Sequence, residues 1–331
     1  MNLKTLLAAT AAVATLVFSP LSHAEDVRIA LVVKSLGNGF FEAAHEGAQE
    51  AAAELGDVEV IYTGPTTTTA EGQIEVITSL IAQNVDAIAV SANDANALVP
   101  ILQRARSRGI TVISWDSGVA AAGREVHLNP SSNALIGEMN IRLAANALEQ
   151  AGVSEGQFAI MSATPTSTNQ NIWIEEMRKV LPDYPQLGLV DVAYGDDLAD
   201  KSYREALALL SNHSDLKVIV APTTVGFLAA AQAVRDEGRV GEVYVTGLGL
   251  PSEMAGHVDA GVVHNFAIWN PIDLGYAATH IAYDLVKDTN GNGTVSMGRL
   301  GEGTLDDNGE VAMSEPFIYD ASNVHQFAEI F

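Results

Sequence analysis

Short apolar runs and amphipathic stretches alternate along the chain from residue 27 onward. Val27 to Val33, broken only by Arg28, reads as a buried strand. A flexible turn follows, Lys34-Ser35-Leu36-Gly37-Asn38-Gly39, then Phe40-Phe41 and a helix from about Glu42. Val58 to Tyr62 is a short strand, and Glu71 to Gln83 has helical spacing. Asp86 to Val90 is another strand, followed by a helix from about Ala95 to Arg108 that Gly109 stops, and then strand Ile110 to Ser114. The pattern restarts past Asn129-Pro130. A long helix covers about Ser132 to Ala151, and strands are predicted at Phe158 to Met161, Leu189 to Ala193, Val218 to Val220, Val243 to Thr246 and Val262 to Phe266. Helices near Asn169 to Val180, Ala199 to Ser211, Gly226 to Asp236 and Ile272 to Val286 accompany them. Repeated strand–helix units predict an α/β chain of parallel sheets with helices on both faces, arranged as two Rossmann-like lobes.

Composition adds compartment and excludes several chemistries. Met1 to Ala24 has a positive start at Lys4, an apolar run from Leu6 to Phe18 and a small-residue end, and is predicted to be a cleavable secretory signal. That run is short of the roughly 20 residues a membrane span needs. The remaining residues exceed one ordinary core, which predicts two lobes. The chain has 0 cysteines, which excludes disulfides, thiolate metal sites and lipid attachment through cysteine. A free periplasmic protein of a Gram-negative bacterium is expected. The formal charge of −24 opposes binding to nucleic acid and to anionic lipid.

Five junctions of strand, polar turn and helix carry candidate ligand chemistry, because open α/β sheets bind ligands beyond the carboxyl ends of their strands. At the first, Lys34 is a compact cation able to donate to a ligand oxygen, or an ordinary surface lysine. Phe40 and Phe41 offer apolar faces of the kind that pack on sugar C–H groups. Adjacent residues on a helix diverge by about 100°, so one ring is expected to face a ligand and the other to pack inward. At the second, Asp116 can accept from two ligand hydroxyls or serve as a turn residue. At the third, Asn169 and Gln170 each offer a donor and an acceptor, with helix capping by Thr168 or Asn169 as the alternative. At the fourth, Pro222 fixes a turn whose carbonyls and amides can face a ligand, and Thr224 is either a ligand contact or a helix cap. At the fifth, Trp269 walls a cleft or fills a core.

Catalytic signals in the sequence are poor. There is no Gly-x-Ser-x-Gly elbow, phosphate loop, dinucleotide fingerprint or His-Glu-x-x-His. The acid pairs Asp196-Asp197 and Asp306-Asp307 read as solvated turns. Asp288 to Gly293 resembles half of a calcium loop, but its twelfth position is Arg299 rather than Glu, and it is read as a Gly-Asn turn.

With these residues in view, the chain from Val27 to Phe331 resembles periplasmic sugar-binding proteins of the ribose-binding-like (type I) ABC transporter family. Within that family it resembles the rhamnose-binding and autoinducer-2-binding branch. The likeness is carried by Lys34 with Gly39-Phe40-Phe41, Trp115-Asp116-Ser117, Asn169-Gln170-Asn171, Ala221-Pro222 and Trp269. It implies ligand contacts at Lys34, Asp116, Asn169, Gln170, Pro222 and Thr224, with Phe41 and Trp269 as walls and Phe40 beside them among the ligand-binding residues. Autoinducer-2 binders carry Asp and Ala where this chain has Asn169 and Thr224. The Thr-Asn-Gln-Asn form and Gly247-Leu248-Gly249-Leu250-Pro251 resemble the rhamnose-binding members instead. The ribose pattern, an Asp-Arg pair after the fourth strand, is replaced by Asp116-Ser117. Leu248 is then expected to face the methyl group of a 6-deoxy sugar.

The resemblance implies hinge strands joining a first lobe (25–129 plus about 270–293) to a second (130–269 plus about 294–331). The implied function is the non-enzymatic binding component of an ABC importer. It would take a 6-deoxyhexose, L-rhamnose, with autoinducer-2 as the alternative ligand. No cofactor is implied. The implied partners are the sugar and a membrane permease, with a chemoreceptor as a further candidate, no nucleic acid, and a monomeric state. An exported sugar-processing enzyme and the effector core of a repressor are the competing classes; the first lacks an acid/base pair and the second would need a DNA-binding segment in place of the leader.

Overall fold

The computed structural model describes residues 26–289 and 293–331. The predicted leader lies outside the described residues, as do positions 290–292 of the calcium-loop-like stretch. The first half runs β1 (Val27–Val32), α1 (Gly39–Leu55), β2 (Val58–Thr63), α2 (Ala70–Ala82), β3 (Ala87–Val90), α3 (Val99–Arg106), β4 (Thr111–Trp115), β5 (Val126–Asn129) and α4 (Asn133–Gln150). The second runs β6 (Gly156–Ser162), α5 (Thr168–Val180), β7 (Leu187–Tyr194), α6 (Ala199–Asn212), β8 (Leu216–Ala221), α7 (Thr224–Asp236), β9 (Tyr244–Gly247), α8 (Pro251–Asp259) and β10 (Asn265–Ile268). Then come α9 (Pro271–Lys287), β11 (Thr294–Ser296), β12 (Glu302–Thr304), β13 (Glu310–Ala312), β14 (Phe317–Asp320) and α10 (Val324–Phe327).

Two sheets result. The first has the order β13-β5-β4-β3-β1-β2, parallel throughout. The second has the order β7-β6-β8-β9, also parallel, and a parallel bridge from Leu248 to Ala267 extends it to the β10–β14 antiparallel pair. Strand residues alternate between faces with period two. Ile29 and Leu31 pack in one core with Ala44, Ala48 and Ala278, while Ala30 and Val32 pack in another with Ile77, Ile81 and Leu102. Burial on both faces is why these strands read as continuous apolar runs.

Two predicted elements shift. The helix expected from Ala95 begins at Val99, because Asp94 Oδ1 accepts from the backbone N–H groups of Asn96 and Ala97 at 2.8 and 2.9 Å and holds a turn there. The strand expected at Val262 to Phe266 lies at Asn265–Ile268. The N–H groups of Val262 and Val263 both bond the carbonyl of His257, which keeps them in the turn after α8.

The late part of the chain visits both sheets. Helix α9 packs on α1 through two glycines: a Cβ at Gly47 would stand 1.7 Å from the Ile272 carbonyl oxygen, and one at Gly275 1.8 Å from that of Ala44. Strand β13 then pairs with β5, Val311 opposite Leu128, and the β11–β12 hairpin lies between α9 and β13. Only β14 and α10 return to the second sheet, against β10 and α8. The expectation that 294–331 belongs wholly to the second lobe is therefore corrected. Residues 294–312 add to the first sheet, because β5 presents an unpaired edge that β13 fills.

Candidate functional site

Seven strand ends meet at one cavity. Residues that follow β1, β4, β6, β7, β8, β9 and β10 line it, all from carboxyl ends, where doubly wound sheets place ligands. All ten residues singled out in the sequence line it: Lys34, Phe40, Phe41, Asp116, Asn169, Gln170, Pro222, Thr224, Leu248 and Trp269.

Its polar part is a network between the two sheets. The Lys34 ammonium donates to Asn169 Oδ1 at 2.9 Å and to Ser167 Oγ at 3.3 Å, and lies 3.9 Å from Asp116 Oδ2. Asn169 Nδ2 donates to Asp116 Oδ1 at 3.0 Å, and Ser91 Oγ donates to Oδ2 at 2.7 Å. Lys34 and Asp116 are at most 5 % exposed, so neither charge is left to water and each depends on these partners. Asn169 is suited to this position because it accepts from a cation with one atom and donates to a carboxylate with the other; an ionised Asp cannot donate. Asp116 has φ 57°, a left-handed conformation that Asp tolerates better than most residues, and its N–H is tied to the Leu128 carbonyl at 3.0 Å. Gln170 Oε1 accepts from Ser162 Oγ at 2.8 Å and Ala163 N–H at 2.7 Å, which fixes the side-chain amide within the lining.

At the starts of α5 and α7 the capping alternative is not realised. Ser167 and Thr223 occupy the cap positions of α5 and α7, and neither makes a side-chain cap bond. Thr168 and Thr224 are first helical residues. The Thr224 hydroxyl lies 3.5 Å from Asn38 Oδ1, which itself caps α1 by accepting from Phe40 N–H. Thr223 donates to Asp197 Oδ1.

The apolar part is an edge-to-face chain of rings. Centroid separations are 5.7 Å for Trp173–Trp269, 6.1 Å for Trp269–Phe40, 5.3 Å for Phe40–Phe41 and 5.8 Å for Phe41–Trp115. Both Phe40 and Phe41 line the cavity, and Phe41 also packs edge-to-face on Trp115 in the core. The N–H groups of Trp115 and Trp173 bond the Ala89 carbonyl and Asn133 Oδ1 at 3.2 and 2.8 Å. Trp269 Nε1 is buried with no protein partner among the described residues. Leu248 and Ile268 supply aliphatic surface.

Sequence reasoning missed Asn38, Trp173, Asp197, Thr223 and Ile268 in this lining. For Asp197 it pointed the wrong way. The pair Asp196-Asp197 is not simply solvated: Asp197 lines the cavity, and burial holds its carboxyl above the ordinary range, opposed by the Lys34 charge. Among the described residues no group of three or more His, Asp or Glu is arranged to hold a metal ion.

Two doubly wound sheets with facing carboxyl ends and a polar cavity between them define a two-lobed binding protein of the type I periplasmic class. The chain belongs to the family of periplasmic binding protein domains, which matches residues 29–290. It is 36 % identical to an ABC transporter solute-binding protein from Clostridium phytofermentas solved with bound L-rhamnose, with TM-score 0.86 over 93 % of this chain and 100 % of that one. It is 25 % identical to LsrB from Clostridium saccharobutylicum in complex with AI-2, with TM-score 0.85 over 91 % and 99 %. A D-ribose/D-allose-binding protein of Pseudomonas aeruginosa is 32 % identical over 73 % of this chain and 78 % of its own length. The chain is thus a sugar-binding component of an ABC transporter, a class of transport proteins without catalytic activity.

Proposed function

We propose that this protein captures a 6-deoxyhexose, L-rhamnose, in the cavity between its lobes and delivers it to an ABC permease. The carrying observation is the pairing, in one cavity, of the Lys34–Asn169–Asp116 network with the aliphatic surface of Leu248 and Ile268. A sugar with hydroxyls on one side and a methyl group at C6 matches both parts. The solved relative with bound L-rhamnose supports the same ligand. Lys34 and Asp116 act from the first lobe; Asn169, Gln170, Pro222 and Thr224 act from the second, so a bound sugar is gripped only when the lobes are together. Phe40, Phe41 and Trp269 stack on its C–H faces. Closure buries the ligand and shapes the surface offered to the permease. We place the protein in the periplasm as a monomer, after removal of the leader.

A thermal-shift panel tests the ligand. L-rhamnose, L-fucose, D-ribose, D-allose and autoinducer-2 are added at equal concentration, and stabilisation follows RT ln(1 + [L]/Kd). L-rhamnose is expected to give the largest shift. A larger shift with D-ribose, D-allose or autoinducer-2 refutes the 6-deoxyhexose assignment.

A further inference from the structure

Asp197 enters the cavity by an unusual turn. Asp196 and Asp197 have φ values of 57° and 51°, two left-handed non-glycine residues in succession. Such positions persist only where the surroundings hold them. Here Gly195 N–H and Asp196 N–H bond the carbonyls of Ser162 and Ala163 at 2.9 and 2.8 Å, and Thr68 from the other lobe donates to the Asp196 carbonyl. The two carboxylates diverge as a result. Asp196 pairs with Lys201 at 2.6 Å on the outside, while Asp197 turns to Thr223 and the cavity.

The charges lining the cavity are then one cation, Lys34, and two carboxylates, Asp116 and Asp197. Lys34 and Asp116 are matched to each other and to Asn169. Asp197 makes no ion pair among the described residues, although the Lys34 charge acts on it. Its Oδ1 accepts from Thr223 Oγ1, and Oδ2 has no hydrogen-bond partner among the described residues. A ligand hydroxyl can donate to such an oxygen in a charge-assisted hydrogen bond. A ligand carboxylate or phosphate would instead bring like charge beside Asp116 and half-buried Asp197.

We infer that Asp197 is a further sugar-contacting residue, and that it makes the site select neutral polyols over sugars bearing a carboxylate or phosphate. This rests on the sugar-binding reading above and narrows its ligand class.

The test is titration calorimetry on the full mature protein at about pH 8. Wild type, Asp197→Asn and Thr223→Val are each titrated with L-rhamnose and D-glucuronate, and with whichever neutral sugar of the thermal panel binds wild type best. Wild type is expected to bind the neutral sugar and to give no heat with glucuronate. Asp197→Asn is expected to lose roughly ten- to a hundredfold on the neutral sugar, the range for a hydrogen bond to a charged group. Thr223→Val keeps the carboxylate and is expected to lose less while still rejecting glucuronate, an outcome that separates ligand contact from turn structure. An Asp197→Asn affinity within twofold of wild type, or glucuronate binding to wild type as tightly as the neutral sugar, overturns the inference. If the best neutral sugar is not a 6-deoxyhexose, the ligand assignment fails while the role of Asp197 is still read on that sugar.

Discussion

Glu253→Gln should stabilise the protein above neutral pH and change little in acid. Glu253 sits in the first turn of α8, facing the start of α1 in the other lobe; a Cβ at Gly39 would stand 3.0 Å from its Oε1. Its Oε2 is buried without a hydrogen-bond partner among the described residues. Burial raises the carboxyl from 4.5 to about 7. A helix N-terminus favours a negative charge, but by only about 0.3–1 kcal/mol at ordinary sites, so desolvation wins. Between these two values the folded form holds a proton that the unfolded form has released. Stability therefore falls as pH rises through this window, and the loss is complete above the folded value. At about 1.4 kcal/mol per unit the ceiling is about 3 kcal/mol, reduced by the solvent contact the side chain keeps. Urea denaturation of wild type and variant, followed by tryptophan fluorescence at about pH 5, 6, 7 and 8, gives the difference curve. The difference is the useful quantity, because buried His127, whose pKa burial lowers, titrates in the opposite sense in both proteins. The variant should gain on wild type steadily from pH 5 and level off above 7. A flat difference, or one of opposite slope, would refute the assignment of a buried, proton-holding carboxyl.

Gly47→Ala forces α1 from α9, because its methyl would meet the Ile272 carbonyl oxygen at 1.7 Å. Loss of about 3 kcal/mol or more is expected, read by calorimetry as a lower Tm; an unchanged Tm would mean the helices have room to part. Trp269→Phe keeps an aromatic ring between Phe40 and Trp173 but removes the unpartnered N–H. Sugar affinity should fall by about 1 kcal/mol, roughly fivefold; an unchanged affinity would leave Trp269 as a wall only.

Local pattern made much of the architecture legible. Strands β1, β3, β4, β6 and β8 are buried on both faces, so they are apolar whichever face is considered, and the polar turns after them stand out. That contrast located Lys34, Asp116, Asn169, Gln170 and Pro222. Short strands with few residues were harder: β5 and β11 to β14 span 3 or 4 residues each. Their conformation comes from partners distant in the chain, as with Val311 opposite Leu128, so no local period announces them. Asp197 was hidden for a related reason. Adjacent carboxylates in a turn look alike in sequence, and only two left-handed residues send one outward and the other into the cavity.

Alternation of apolar strands and amphipathic helices is a property of consecutive residues, and by itself it determined an α/β chain of parallel sheets with polar, aromatic-flanked turns at the strand ends. Tertiary structure decided which of those turns meet. The close approach of Gly47 and Gly275 to backbone oxygens brings α9 onto α1, β13 completes the first sheet, and Asn169 spans from the Lys34 ammonium to the Asp116 carboxylate. Each of these is a contact between residues more than fifty positions apart, set by packing and charge matching in three dimensions, which hydrophobic periodicity does not encode.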